Sequence, residues 1–374
     1  MKDTLPNSEV VPPGGPADGR SASKIVSAMY DGSQATGINR IWRVGRPNDD
    51  IGGGMALVRG HFERGEGRVP EPAPGEVLIR AEYFSPDAMN HAWVRGMPGK
   101  FDPLPPGAPM RGGIAGTIVQ SRNPDWPEGT RVTGFLDWAD YSLSSGTDHL
   151  GVPLQIIPDG IATSSGLVAL GMSGICAWLG LAHFLKVRPG DTVLISGASG
   201  AIGSLAGQLA PLFEARAVGI AGGAEKCAAV LANGFAAVVD YKADDLAGQI
   251  AAACPDEVDV FFDNVGGKLL DAALLNMRHY GQVLICGGTA HYGAQPEPIY
   301  NHIHMAMRSL TMRGFFYFDE VALWDEARQR LAHFLREGLI REWLDVEKGF
   351  EAVPDAALAG FSGGVRGRKL VHIA

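Results

Sequence analysis

The stretch Ser196-Gly-Ala-Ser-Gly-Ala-Ile-Gly203 has the residue types and spacing of a phosphate-binding turn. It follows a run that reads as a buried strand, Asp191-Thr-Val-Leu-Ile-Ser196, and opens onto an expected helix over 201–212. In that setting Gly200 lets the backbone approach a pyrophosphate closely, and Gly203 lets the helix pack tightly on the strand. Ser199, Gly200, Ala201, Ile202 and Gly203 then surround a helix N-terminus whose free N–H groups and positive dipole end favour an anion. Ala198 replaces the first glycine of the usual fingerprint, and a glycine triplet taken alone is equally a plain tight turn. The strand on one side and the helix on the other favour nucleotide binding.

Coenzyme choice is read at the end of the next strand, about 20 residues on, where a carboxylate would hold an unmodified ribose. Here the segment is Ile220-Ala-Gly-Gly-Ala-Glu-Lys226, with small residues at the strand end and a lysine after them. Lys226 can neutralise a 2′-phosphate, which favours NADPH over NADH. Pairing of Lys226 with the adjacent Glu225 on a solvated helix face is the alternative.

These residues need a frame. After residue 164, expected strands at 191–196, 216–221, 237–241, 258–262 and 282–286 alternate with expected helices at 201–212, 224–231, 246–253 and 268–277. That rhythm implies an α/β fold, a doubly wound parallel Rossmann sheet over 164–334. Residues 38–163 differ. Short β-rich runs punctuated by Pro and Gly, such as Gly75-Glu-Val-Leu-Ile-Arg80 and Arg131-Val-Thr-Gly-Phe135, suggest a compact β-rich domain. An amphipathic helix over 321–337 and a last strand over 369–373 follow, and 335–374 is expected to rejoin the first domain. Residues 1–37, rich in Pro, Gly, Ser and Asp, read as a disordered tail of a cytoplasmic protein, with a processed targeting segment as the alternative.

Composition narrows the partners. At 374 residues with 46% hydrophobic residues the chain can build two cores, and a net charge of −9 disfavours nucleic acid and polybasic membrane anchoring. Its longest apolar runs are strand-length, too short to span a bilayer. The four cysteines, Cys176, Cys227, Cys254 and Cys286, are far apart in sequence and read as reduced, mostly buried thiols rather than a zinc lobe.

With Asn123-Pro-Asp, Gly171-Met-Ser-Gly, Asp240-Tyr-Lys, Phe262-Asp-Asn-Val-Gly-Gly267 and Ile285-Cys-Gly added to the glycine loop and Glu-Lys, the chain resembles the medium-chain dehydrogenase/reductase superfamily. The likeness is to its zinc-free alkenal/one oxidoreductase branch and spans nearly everything after Ile38. The resemblance implies a GroES-like catalytic domain, a Rossmann domain and NADPH between them. It places Lys226 at the 2′-phosphate and Tyr241 near the adenosine phosphates. Cys176, Asn264, Cys286 and Gly288 line the path to the nicotinamide, and Phe315, Phe316 and Tyr317 lie beside it. Met89, His91 and Tyr292 fall in the substrate pocket, and a homodimer is the common family assembly.

The reaction this implies is hydride transfer to the β-carbon of a small hydrophobic enone. Tyr292 would stabilise the resulting enolate and help deliver a proton to the α-carbon, or would merely pack there. Zinc-dependent relatives carry Gly-His-Glu where this chain has Met110-Arg-Gly-Gly-Ile-Ala-Gly116, so no catalytic metal is expected. Three departures bear on the pocket. Asp87-Ala-Met-Asn-His91 replaces the family's Asp-Pro-Tyr-Met-Arg, and Val365-Arg-Gly-Arg368 replaces Asn-x-Gly-Lys. His291, His302 and His304 crowd one stretch, without the partners a metal site needs. Met89, Trp93, Trp138, Phe315 and Tyr317 would make a hydrophobic cleft or simply core. A quinone or carbonyl reductase, and a non-catalytic NADPH-binding sensor, are the competing functions.

Overall fold

The computed structural model describes residues 37–45, 57–87, 89–97, 99–291, 298–359 and 366–373. The expected tail, except Gly37, and Tyr292 lie outside them.

Six parallel strands form one sheet. In spatial order they are Ala237–Asp240, Arg216–Ala221, Thr192–Ser196, Val258–Asp263, Met277–Ile285 and Thr311–Gly314. Counted along the chain this is 3-2-1-4-5-6, the doubly wound order, whose winding reverses between the first and fourth strands. Burial explains the composition. All five residues of Thr192-Val-Leu-Ile-Ser196 are buried, Val193 and Ile195 in the core on one face and Leu194 in the core on the other.

A mixed sheet carries the β-rich part. Its strands run in the order Leu344–Lys348, Arg368–His372, Val77–Ser85, Arg111–Ser121, Arg131–Asp137 and Gln155–Ile156, with Tyr141–Ser144 also on Val77–Ser85. Val371 pairs with Phe84 and His372 with Tyr83, so the C-terminal segment closes this sheet. A separate core of Trp42, Phe84, Trp93, Trp138 and Phe350 fills it. A hairpin of Ile38–Val44 and Phe62–Arg68 lies alongside.

Two helices end earlier than the sequence suggests. The helix expected over 201–212 is α-helical at Ala201–Leu209 and then tightens to 3-10 at Ala210–Phe213. Pro211 has no N–H to continue the ladder, and Glu214 ends the turn at φ 57°. The helix expected over 268–277 spans Gly267–Leu274. Asn276 stops it by donating its side-chain N–H to Ala272 O and Ala247 O, at 3.0 and 3.1 Å. Met277 thus opens the next strand.

Candidate active site

Gly197 makes the tight turn after the first strand with φ 61°, so Ala198 at the fingerprint's first position needs no special conformation. A Cβ on Gly203 would fall 2.3 Å from Gly197 O, whereas one on Gly200 would stand 3.2 Å away. Gly203 therefore sets the close packing of helix on turn. Gly200 caps the helix Ala201–Leu209, where Ser199 is buried and Ala201 and Ile202 are half-buried. The backbone N–H groups of this first helical turn can receive a pyrophosphate.

The crossover point beside the loop is held by one carboxylate. Asp263, 0% exposed, accepts from Ser196 Oγ at 2.6 Å and from the N–H groups of Val265 and Gly266, each at 3.0 Å. Asn264 donates its side-chain N–H to Ser196 O at 2.8 Å, which leaves its Oδ1 buried without a hydrogen-bond partner. A buried amide oxygen without a donor is costly unless a ligand supplies one. Cys286 N and Gly287 N donate to Asp263 O, and Thr289 N to Asn264 O, so Gly288 is carried alongside the same crevice.

Cations gather at the ends of the second and third strands. Burial, and then the charges of Lys242 and Arg366, push the Lys226 amine down, while Glu225 opposes them. Asp240 accepts from Gly223 N at 2.8 Å and Lys242 N at 3.0 Å, and these bonds hold its carboxyl below the usual range. Its charge is thereby engaged by the turn itself. A Cβ on Gly222 would meet the Tyr241 ring at 2.6 Å, and the Lys268 amine stands 5.6 Å from that ring's centre. Lys226, singled out by sequence, thus stands near the charges of Lys242 and Arg366, while Tyr241, also singled out, lies against Gly222 and Lys268. Sequence reasoning does not single out Lys242 and Lys268, although one lies in the turn after a parallel strand and the other in the first turn of a helix, positions near the ligand crevice in such sheets.

On the other side of the crossover, Cys176 of the helix Met172–Trp178 meets Cys286. Their hydrogen bond, and then burial, raise the Cys286 thiol well above its ordinary range. Nothing in their sequence separation signals this contact. Phe315 packs on Phe184 with ring centres 4.7 Å apart. Phe316 lies under the Lys100 amine at 4.6 Å, and Lys100 also bonds Asp319 at 2.9 Å, joining the two sheets' segments. Tyr317 stacks on Trp324 and, with Ser85, Asp87, Met172, Arg328 and Arg368, lines a cavity of about 40 Å³ between the two cores. Burial raises the Tyr317 phenol well above its ordinary range, so it stays protonated. Arg368 crosses to Ser85 Oγ at 2.6 Å and Asp87 Oδ2 at 2.9 Å.

Met89 and His91 stand apart from that cavity. Met89 is 7% exposed and belongs to the β-rich core, as do Trp93 and Trp138, while His91 is half-buried on the short helix Met89–Arg95. Among the described residues no three His, Cys, Asp or Glu side chains come together as a metal-binding group.

Comparison with known proteins agrees with this layout. Residues 56–152 match the model described as the N-terminal domain of oxidoreductase, and residues 201–336 the one described as zinc-binding dehydrogenase. The chain is 32% identical over 327 residues to the NADPH-dependent curcumin reductase of Escherichia coli, covering 85% of this chain and 94% of that protein. It is 31% identical over 310 residues to the NADP(+)-dependent 2-alkenal reductase of Nicotiana tabacum, covering 82% and 89%. The chain belongs to the medium-chain dehydrogenase/reductase family. Its likeness is to the alkenal/one oxidoreductase branch. Within that family, the crystal structure of CurA in complex with NADPH from Vibrio vulnificus superposes with a TM-score of 0.80 at 28% identity, covering 90% of this chain and 99% of that one. The fold is the family's Rossmann domain joined to a β-rich N-terminal domain.

Proposed function

We propose that this medium-chain reductase uses NADPH to reduce the C=C bond of α,β-unsaturated ketones or aldehydes. The reading is carried by the cations near the ends of the parallel strands, Lys226 beside Lys242 and Lys268 over the Tyr241 ring, together with a glycine loop that opens a helix. The activities named for the curcumin and 2-alkenal reductases point the same way. Residues 38–163 and 335–374 serve as a GroES-like catalytic domain and 164–334 as the coenzyme domain.

The residues present fit the coenzyme. Lys226 and Tyr241 hold its adenosine end, the 199–203 loop its pyrophosphate, and Asn264, Cys176, Cys286 and Gly288 the approach to its nicotinamide, with Phe315, Phe316 and Tyr317 alongside. When bound it supplies the hydride. The protein's part is to exclude water and to stabilise the charge that moves onto the substrate's carbonyl oxygen. Tyr292 is assigned that hydrogen bond and the proton delivery, on its place in the sequence, with Met89 and His91 assigned to the surrounding pocket. No Lewis acid is required for this reaction, in keeping with Met110-Arg-Gly-Gly in place of Gly-His-Glu.

A cytoplasmic setting suits four cysteines that are all free thiols. A homodimer is supported by the strand Thr311–Gly314, which ends the parallel sheet with one neighbour, and by the exposed Tyr300, Ile303 and Met307 in the segment before it. No helix among the described residues is long and apolar enough to cross a membrane.

The test is NADPH oxidation with an alkenal, a benzalacetone-type ketone and a quinone. Turnover of the first two to saturated carbonyl products supports the proposal; oxidation with the quinone alone, or binding without turnover, replaces it with a quinone reductase or a sensor.

A further inference from the structure

Arg366 reaches the coenzyme loop from the other sheet. Gly367 donates its N–H to Ser199 O at 2.8 Å and forms a parallel bridge with Gly200. Gly367 has φ 69°, and a Cβ there would fall 2.1 Å from Trp343 O, so the backbone at this crossing is narrowly defined. From that anchor the Arg366 guanidinium extends to Glu225, 3.3 Å away, the residue just before Lys226.

Three cations then converge from three segments: Lys226 after the second strand, Lys242 after the third, and Arg366 from beyond the parallel sheet. Each of the other two charges is close enough to lower Lys226. Among the described residues, the acids near them include Glu225 and Asp240, and Asp240 is already engaged by two backbone N–H groups. Like charges brought this close favour an anion among them. The Arg366–Glu225 pair is exposed, at 52% and 83%, and an ion pair in that setting is weak. A dianionic phosphate offers the guanidinium fork a stronger, bidentate partner.

We propose that Arg366 is a specificity-determining residue for the 2′-phosphate of NADPH, exchanging Glu225 for that phosphate, with Glu225 an internal competitor. The inference rests on the NADPH reading above. Coenzyme discrimination is then shared between the two sheets, and the Gly367 bridge carries the second share.

Calorimetry on the full chain with 2′,5′-ADP and 5′-AMP as probes tests this without turnover. The unaltered chain should bind 2′,5′-ADP more tightly than 5′-AMP. Arg366→Ala should weaken 2′,5′-ADP about tenfold while 5′-AMP stays within about twofold, the loss expected of one charge-assisted hydrogen bond. Arg366→Lys should recover part of it, and Glu225→Gln should tighten 2′,5′-ADP. Equal weakening of both probes by Arg366→Ala would assign Arg366 to loop positioning, and unchanged 2′,5′-ADP binding would make it a surface cation; either overturns the proposal. If the unaltered chain does not prefer 2′,5′-ADP, the NADPH reading falls first and this inference with it.

Discussion

Ser196 donates its hydroxyl to Asp263 at 2.6 Å, tying the C-terminal ends of the first and fourth strands where the winding of the sheet reverses. The same Asp263 oxygen accepts two backbone N–H groups, so the carboxylate is an acceptor throughout. Asp263→Asn, with its amide turned either way, replaces an acceptor by a donor in a fully buried place. A loss of about 1–3 kcal/mol in urea unfolding is expected, with weaker coenzyme binding because Asn264 is held by the same knot. Unchanged stability would show that the knot relaxes without cost.

The glycine loop separates two substitutions that look alike in sequence. Gly203→Ala places a methyl 2.3 Å from the Gly197 carbonyl and should cost roughly 1–3 kcal/mol by overpacking. Gly200→Ala meets the same oxygen at 3.2 Å and should fold nearly normally while binding NADPH less well. Thermal unfolding and coenzyme titration of the pair check the order.

Arg368 and Asp87 form an ion pair whose side chains are only 13% and 7% exposed. Arg368→Ala strands the carboxylate, and a loss of about 3–5 kcal/mol is expected. Arg64, paired with the 63% exposed Glu351, is the control, and Arg64→Ala should cost at most about 1 kcal/mol. Equal losses in denaturant unfolding would contradict the burial argument.

His61 gives a signed pH dependence. It is buried, its Nδ1 accepts from Val58 N at 2.9 Å, and burial followed by the nearby Arg95 charge lowers its pKa. The folded chain therefore takes up this proton less readily than the unfolded chain does. Stability from this group is complete above about pH 6.5 and falls as pH drops below it, by at most about 1.4 kcal/mol per pH unit. His61→Gln should flatten that part of a stability profile measured between neutral and mildly acid pH.

What could be read in the sequence was local. Thr192-Val-Leu-Ile-Ser196 announces a strand buried on both faces, and the glycines, Lys226, Tyr241 and Asn264 follow strand ends within a few residues. The helix ends depart from expectation where a single residue decides them, Pro211 by its missing N–H and Asn276 by its capping side chain. Contacts assembled from remote segments left no such trace. Arg368 meets Asp87 across 281 residues, and Cys176 meets Cys286 from different elements. Met89 sits beside a family motif on the short helix Met89–Arg95, with its side chain packed among the residues of the β-rich core.

The most direct measurement is the fate of the hydride. Incubation with deuterated NADPH and a benzalacetone-type ketone, followed by mass spectrometry, should give the saturated ketone with deuterium on its β-carbon. Deuterium on the carbinol carbon of an alcohol that keeps its double bond would contradict the proposed alkene reduction and make the enzyme a carbonyl reductase.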